Sequence, residues 1–82
     1  MNDNLIVSSC DGVIEIIFID HHSRINEWEK LFAIRKKDGE LETITVGFGG
    51  KVSSIEVEKG DQVIKGMVLA QVKEELFASG SE

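Results

Sequence analysis

A few short stretches hold the residue types that could do chemistry. Asp20-His21-His22 joins a carboxylate to two imidazoles, the ligand types of a zinc site. In an extended chain neighbouring side chains point to opposite faces, so these three do not converge on one ion. They read as a solvated turn, and no metal is expected. Cys10 is the only cysteine, so no intramolecular disulfide can form. No basic residue adjoins it to make it a nucleophile, and it reads as a buried or turn-lining thiol. Arg35-Lys36-Lys37-Asp38-Gly39-Glu40 places two amines ahead of an Asp-Gly pair. Asp-Gly is a signal for a two-residue type I′ hairpin. It puts Asp38 at the tip and leaves Lys36 and Lys37 just before it, as a solubilising basic edge. The segment Gly47-Phe48-Gly49-Gly50-Lys51 lacks the spacing of a phosphate loop. No pair of carboxylates is arranged for acid/base work, so no enzymatic activity is expected.

Two aromatic residues stand apart from this polar chemistry. Trp28, in Asn26-Glu27-Trp28-Glu29, falls at an expected turn. It reads first as a cap closing one end of the fold, and second as an exposed anchor for a partner, since Trp is enriched at binding hot spots. Phe48 lies between glycines, where core packing and partner contact are equally open.

The elements that must hold these residues are strands. Apolar residues recur with period two, as in Ile17/Ile19, Ile44/Val46 and Ile55/Val57. Glycines and Asp-Gly pairs punctuate the runs, and there is no proline. Strands are expected near 4–8, 12–19, 30–36, 41–46, 50–58 and 67–73, with short bridging strands through Ile25 and Val63. A helix fits only in the closing KEELFASGSE, where a frayed polar tail over 77–82 is the better reading. Residues 1–76 then form a single all-β domain.

Composition bounds the partners. The chain has 82 residues and a net charge of −6, with 41% hydrophobic and 29% charged residues. A domain of that length hides only about 60–65% of its unfolded surface, which leaves little room for a deep active site. The acidic balance argues against nucleic acid and against an anionic membrane surface, because phosphate binding needs clustered positive charge. No apolar run approaches a membrane span, and the opening MNDNLIVSS has no basic region followed by an apolar one. The expected location is the cytoplasm.

The chain also repeats itself. Under a shift of 38 positions Gly12 falls on Gly50, Ile14 on Val52, Ile17 on Ile55 and Ile19 on Val57. Ile25 falls on Val63, Leu31 on Leu69, Ile34 on Val72 and Ile6 on Ile44. Apolar positions coincide while polar ones mostly do not, as expected of two units constrained only on their inward faces. Two such halves, packed with approximate two-fold symmetry, make a small sandwich.

The second half carries a further signal. Gly50-Lys51-Val52, Ile55-Glu56-Val57, Lys59-Gly60-Asp61-Gln62-Val63 and Lys65-Gly66-Met67-Val68-Leu69 together resemble the pattern of biotinyl/lipoyl domains. The resemblance spans roughly residues 5–74. It implies a barrel-sandwich hybrid, a flattened β-barrel or sandwich of two interlocked, quasi-symmetric sheets. The first half departs from the pattern, with His22-Ser23 in place of Gly60-Asp61 and Trp28 in place of Gly66. In carrier members of this family the hairpin between the halves bears a lysine that takes biotin within a Met-Lys-Met core or lipoate within an Asp-Lys-Ala core. Here neither core is present. The expected function is therefore an unmodified, non-enzymatic domain acting by protein–protein contact, without cofactor. Its partner is another protein or, by pairing of leftover apolar surface, a second copy. The alternative is a divergent carrier bearing biotin or a lipoyl group on Lys37 or Lys36.

Overall fold

The computed structural model describes residues 3–75, all of whose regular elements are strands. In chain order they are β1 (Asp3–Val7), β2 (Gly12–Ile17), β3 (Arg24–Ile25), β4 (Lys30–Arg35), β5 (Leu41–Thr45), β6 (Gly50–Ile55), β7 (Gln62–Val63) and β8 (Val68–Glu74). They form two antiparallel four-stranded sheets, ordered β1-β8-β6-β3 and β5-β4-β2-β7. No helix among the described residues is long and apolar enough to cross a membrane.

The two halves are interlocked. Adding 38 to the limits of β1, β2 and β3 gives those of β5, β6 and β7, and β4 maps onto the first six residues of β8. The same shift converts one sheet order into the other. Each sheet therefore contains strands from both halves, and neither half buries its apolar face without the other. Register breaks also correspond, between Ile14 and Ile16 in β2 and between Val52 and Ser54 in β6. Such bulges increase local twist, which wraps each sheet around the shared core.

The core comes from apolar positions that the repeat shares, including adjacent buried residues in β4 (Leu31 to Ile34) and β8 (Leu69 and Ala70). Ile6 and Ile44, Ile14 and Val52, Ile19 and Val57, Ile25 and Val63, Leu31 and Leu69, and Ile34 and Val72 are all buried. Ile17 and Ile55 are partly buried against them. Phe32, the largest fully buried side chain, corresponds in the repeat to the small, equally buried Ala70.

The strands near 12–19 and 50–58 are shorter than expected, and for one reason. Phe18 and Glu56 still donate backbone bonds to Leu31 and Leu69, after which the chain leaves the ladder for a turn. The turn that follows uses Gly60 at φ 95° in the second half and His22 at φ 67° in the first. The next turn uses Gly66 at φ 90° and Trp28 at φ 64°. The left-handed conformation persists without glycine because the same backbone bonds require it. Gly60 donates to the Ile14 carbonyl at 2.8 Å and His22 to Val52 at 3.1 Å. Gly66 donates to Ser8 at 2.8 Å and Trp28 to Val46 at 2.7 Å.

A side chain in that conformation costs about 1–2 kcal/mol. His22→Gly removes the cost but adds unfolded-state entropy of about 0.5–1 kcal/mol. The expected net gain is about 0.5–1 kcal/mol, raising Tm by about 2–8 °C in a thermal melt. An unchanged or lower Tm contradicts this account of the turn. The helix considered for KEELFASGSE is not formed at Lys73 and Glu74, which belong to β8, and the rest of that tail lies outside the described residues.

Candidate functional site

The β4–β5 hairpin differs from its expected form. Gly39 donates to the Lys36 carbonyl at 2.9 Å, so Lys37 and Asp38 occupy the two central positions of the turn. Neither has positive φ; Gly39 alone takes the left-handed conformation here, at 90°. This is a three-residue loop, a type I turn followed by a bulge glycine, and not the two-residue type I′ turn. The cause is local. The Asp38 carboxylate accepts the Glu40 backbone N–H at 3.0 Å, while Lys36 N–H donates to the Glu40 carbonyl at 2.8 Å. Asp38 serves as a turn cap, and the tip is shared by Lys37 and Asp38. The reading that put Asp38 alone at the tip is thus corrected.

The two lysines are separated by this geometry. Lys36 is half-buried and leans toward Glu40, with 3.8 Å between Nζ and Oε1. Lys37 is exposed, and its ammonium has no ion-pair or hydrogen-bond partner among the described residues. Arg35 braces the hairpin from behind, donating from Nη1 to the Gly39 carbonyl and from Nε to Glu15, both at 3.0 Å. The Arg35 hydrogen bond, and then its charge, hold the Glu15 carboxyl below its ordinary range, and Arg35 is raised in turn. The stabilisation linked to Glu15 is therefore present above its unfolded pKa and lost as pH falls through its lower folded pKa. An NMR titration should show the Glu15 midpoint rise toward the ordinary carboxylate range in Arg35→Gln; no movement would contradict the pair.

An open groove of about 520 Å³ lies beside this hairpin, with Cys10, Asp11, Lys36, Lys37, Asp38 and Lys65 on its walls. Asp11 accepts the Lys65 backbone N–H at 2.8 Å, tying the β7–β8 turn to the start of β2. Cys10 is partly buried against the core, and its carbonyl accepts the buried Ser8 hydroxyl at 2.5 Å.

The remaining candidates lie elsewhere. His21 and His22 are both exposed, with ring centroids 6.4 Å apart. Among the described residues no three His, Cys, Asp or Glu side chains converge as metal ligands. Trp28 is 69% exposed and does not plug the core. Its indole lies against Gly47, where an added Cβ would sit 2.9 Å from the ring. The cap reading of Trp28 is therefore corrected: the turn that sets its backbone points it outward. Phe48 next to it is half-buried and packs on the core. The sequence reading missed the correspondence between the two ends. Carrying the 38-position comparison on to the charged residues would have exposed it, because Lys36, Lys37 and Lys65 then fall on Glu74, Glu75 and Glu27.

No family model matches the sequence, and no curated protein matches it. Solved structures do match. One is a single-chain, multi-domain long-chain acyl-CoA carboxylase, with 10% identity and a TM-score of 0.82, over 93% of this chain and 7% of that one. Another is the urea carboxylase of Kluyveromyces lactis, with 18% identity and a TM-score of 0.79, over 89% of this chain and 6% of that one. At these identities the likeness is one of fold: this chain is built like a small segment of two large carboxylases.

Proposed function

We propose that this chain is a biotinyl/lipoyl-type carrier domain, non-enzymatic in itself, that presents Lys37 for acylation. One observation carries the proposal: Lys37 occupies a central position of a braced turn, exposed and unpaired. Attachment needs a primary amine projecting from a rigid tip, and Lys37 meets that need. Its unprotonated amine attacks the carbonyl of a ligase-activated acyl group. An amide forms at Nζ, the activating group leaves and a proton passes to solvent. Biotin or lipoate held there would supply the group-carrying atom. The protein's part is to hold the lysine away from its own surface, through the Arg35, Asp38 and Lys36–Glu40 contacts. The fold shared with segments of two carboxylases supports the same reading.

A second reading is supported by the flanks. Lys36 precedes Lys37 and Asp38 follows it, where the carrier pattern has Met-Lys-Met or Asp-Lys-Ala. A ligase that reads those flanks would leave the hairpin bare, and the domain would then act by protein contact alone, in the cytoplasm. The intact mass of the protein from its own cells, and again after incubation with biotin and lipoate ligases, separates the two. An added biotinyl or lipoyl mass supports the carrier; the bare mass throughout overturns it.

A further inference from the structure

We propose that the end of the molecule opposite the lysine hairpin is a docking surface for a basic segment of a partner protein, which lays a guanidinium or ammonium group on Trp28 beside Glu27 and Glu74. The Trp28 turn lies at the start of β4 and the hairpin at its end, about 20 Å apart at the ordinary rise of a strand. The inference does not depend on the state of Lys37.

Three independent observations carry it. First, the fold does not ask for Trp28. The equivalent residue is Gly66, which makes the same backbone bond in the same left-handed conformation. A large aromatic residue there is strained. Burial does not offset the strain, since the side chain is 69% exposed. Second, the indole lies against Gly47, which lines a groove of about 560 Å³ together with Asn26, Glu27, Phe48 and, at the end of β8, Glu74 and Glu75. Third, the charge of this groove is inverted relative to its equivalent at the other end. Glu27, Glu74 and Glu75 replace Lys65, Lys36 and Lys37 on the same scaffold.

The inverted charge decides the occupant. Carboxylates repel an anionic segment, and an indole face attracts a cation. The rim already holds one guanidinium: Arg24 Nη1 donates to Glu75 Oε1 at 2.8 Å. Glu74 takes a bond from Asn4 at 3.2 Å through one carboxylate oxygen, leaving the other for a ligand. Glu27 is exposed. A second copy of this chain fits less well. Its lysine end also carries Asp11 and Asp38, and two chains of net charge −6 repel each other.

Trp28 is the only tryptophan and the chain has no tyrosine, so intrinsic fluorescence reports this surface directly. The full chain is titrated at low salt with the peptide acetyl-Gly-Arg-Arg-Gly-amide, and in parallel with acetyl-Gly-Glu-Glu-Gly-amide. The expected result is a saturable change in Trp28 emission with the arginine peptide only. Glu27→Lys combined with Glu74→Gln should weaken it about tenfold or more, a loss of about 1.4 kcal/mol. An unchanged Tm shows that the variant is folded; if it is not, Glu27→Gln alone serves, with a smaller loss expected. No saturable change, an equal response to the glutamate peptide, or a response untouched by the variants overturns the proposal. So does an emission change that tracks protein concentration without peptide, which would assign the surface to a second copy.

Discussion

Replacing Gly50 with alanine is expected to destabilise the domain by about 2–3 kcal/mol. Gly50 opens β6, is buried, and pairs with Ile25 of β3 on one side and Glu74 of β8 on the other. A Cβ built there lies 2.3 Å from the Lys73 carbonyl oxygen, 3.0 Å from its carbon and 3.1 Å from Glu74 Cα. All three are backbone atoms of the neighbouring strand, so no side chain can swing aside. The strand pair must separate, and β8 bonds β6 and β1 alike. Gly12 occupies the equivalent place in β2, where a Cβ would meet the Arg35 carbonyl at 2.4 Å. A domain of this size has about 4–12 kcal/mol in total. Gly50→Ala therefore takes a large share, and Gly50→Val should prevent cooperative folding. In urea, with a slope near 1 kcal/mol/M, the midpoint should fall by about 2–3 M without a change in slope. A midpoint within experimental error of the parent would show that the strands can part freely there.

The second large effect concerns Lys37. Conversion to arginine should abolish any added biotinyl or lipoyl mass, because the guanidinium stays protonated and cannot act as the acylated amine. Lys36→Arg should leave the mass increase intact, because Lys36 is half-buried toward Glu40 while Lys37 projects from the turn. Lys36→Met with Asp38→Met restores the flanks of the biotin pattern and should raise the modified fraction severalfold. Loss of the Asp38 cap on Glu40 N–H works against this by loosening the turn, a cost of about 0.5–2 kcal/mol to stability. If Lys36→Arg rather than Lys37→Arg removes the mass, the turn has been assigned to the wrong lysine. If the double methionine variant is modified and the parent never is, the flanks alone keep this hairpin bare, and the contact-module reading stands.

The alternation of apolar residues was enough, by itself, to make this an all-β chain and to name its core. Ile14, Ile25, Leu31, Ile34 and their mates 38 positions on are all buried, although in β4 the alternation gives way to four consecutive buried residues, Leu31 to Ile34. The match between the halves followed from the same cause, since inward packing tolerates few residue types. Glycines marked the turns at Gly60 and Gly66 for their freedom at positive φ.

Only the tertiary structure decided the rest. Asp-Gly is compatible with more than one hairpin; which residue takes the left-handed conformation depends on where the Asp38 carboxylate finds a backbone donor. That choice moved Lys37 to the tip. Trp28 could have turned in or out; its left-handed turn, held by a backbone bond to the Val46 carbonyl just past β5, leaves it 69% exposed. The opposed charges of the two ends are written in residues up to 48 positions apart, Glu27 with Glu75 and Lys36 with Lys65 among them. They become two surfaces only when β4 and β8, the middle strands of different sheets, each carry their charges to an end of the molecule. A side chain's inward or outward sense is local and periodic, so it can be read along the chain. Which outward side chains share a surface depends on contacts between strands distant in sequence, and no local pattern encodes that.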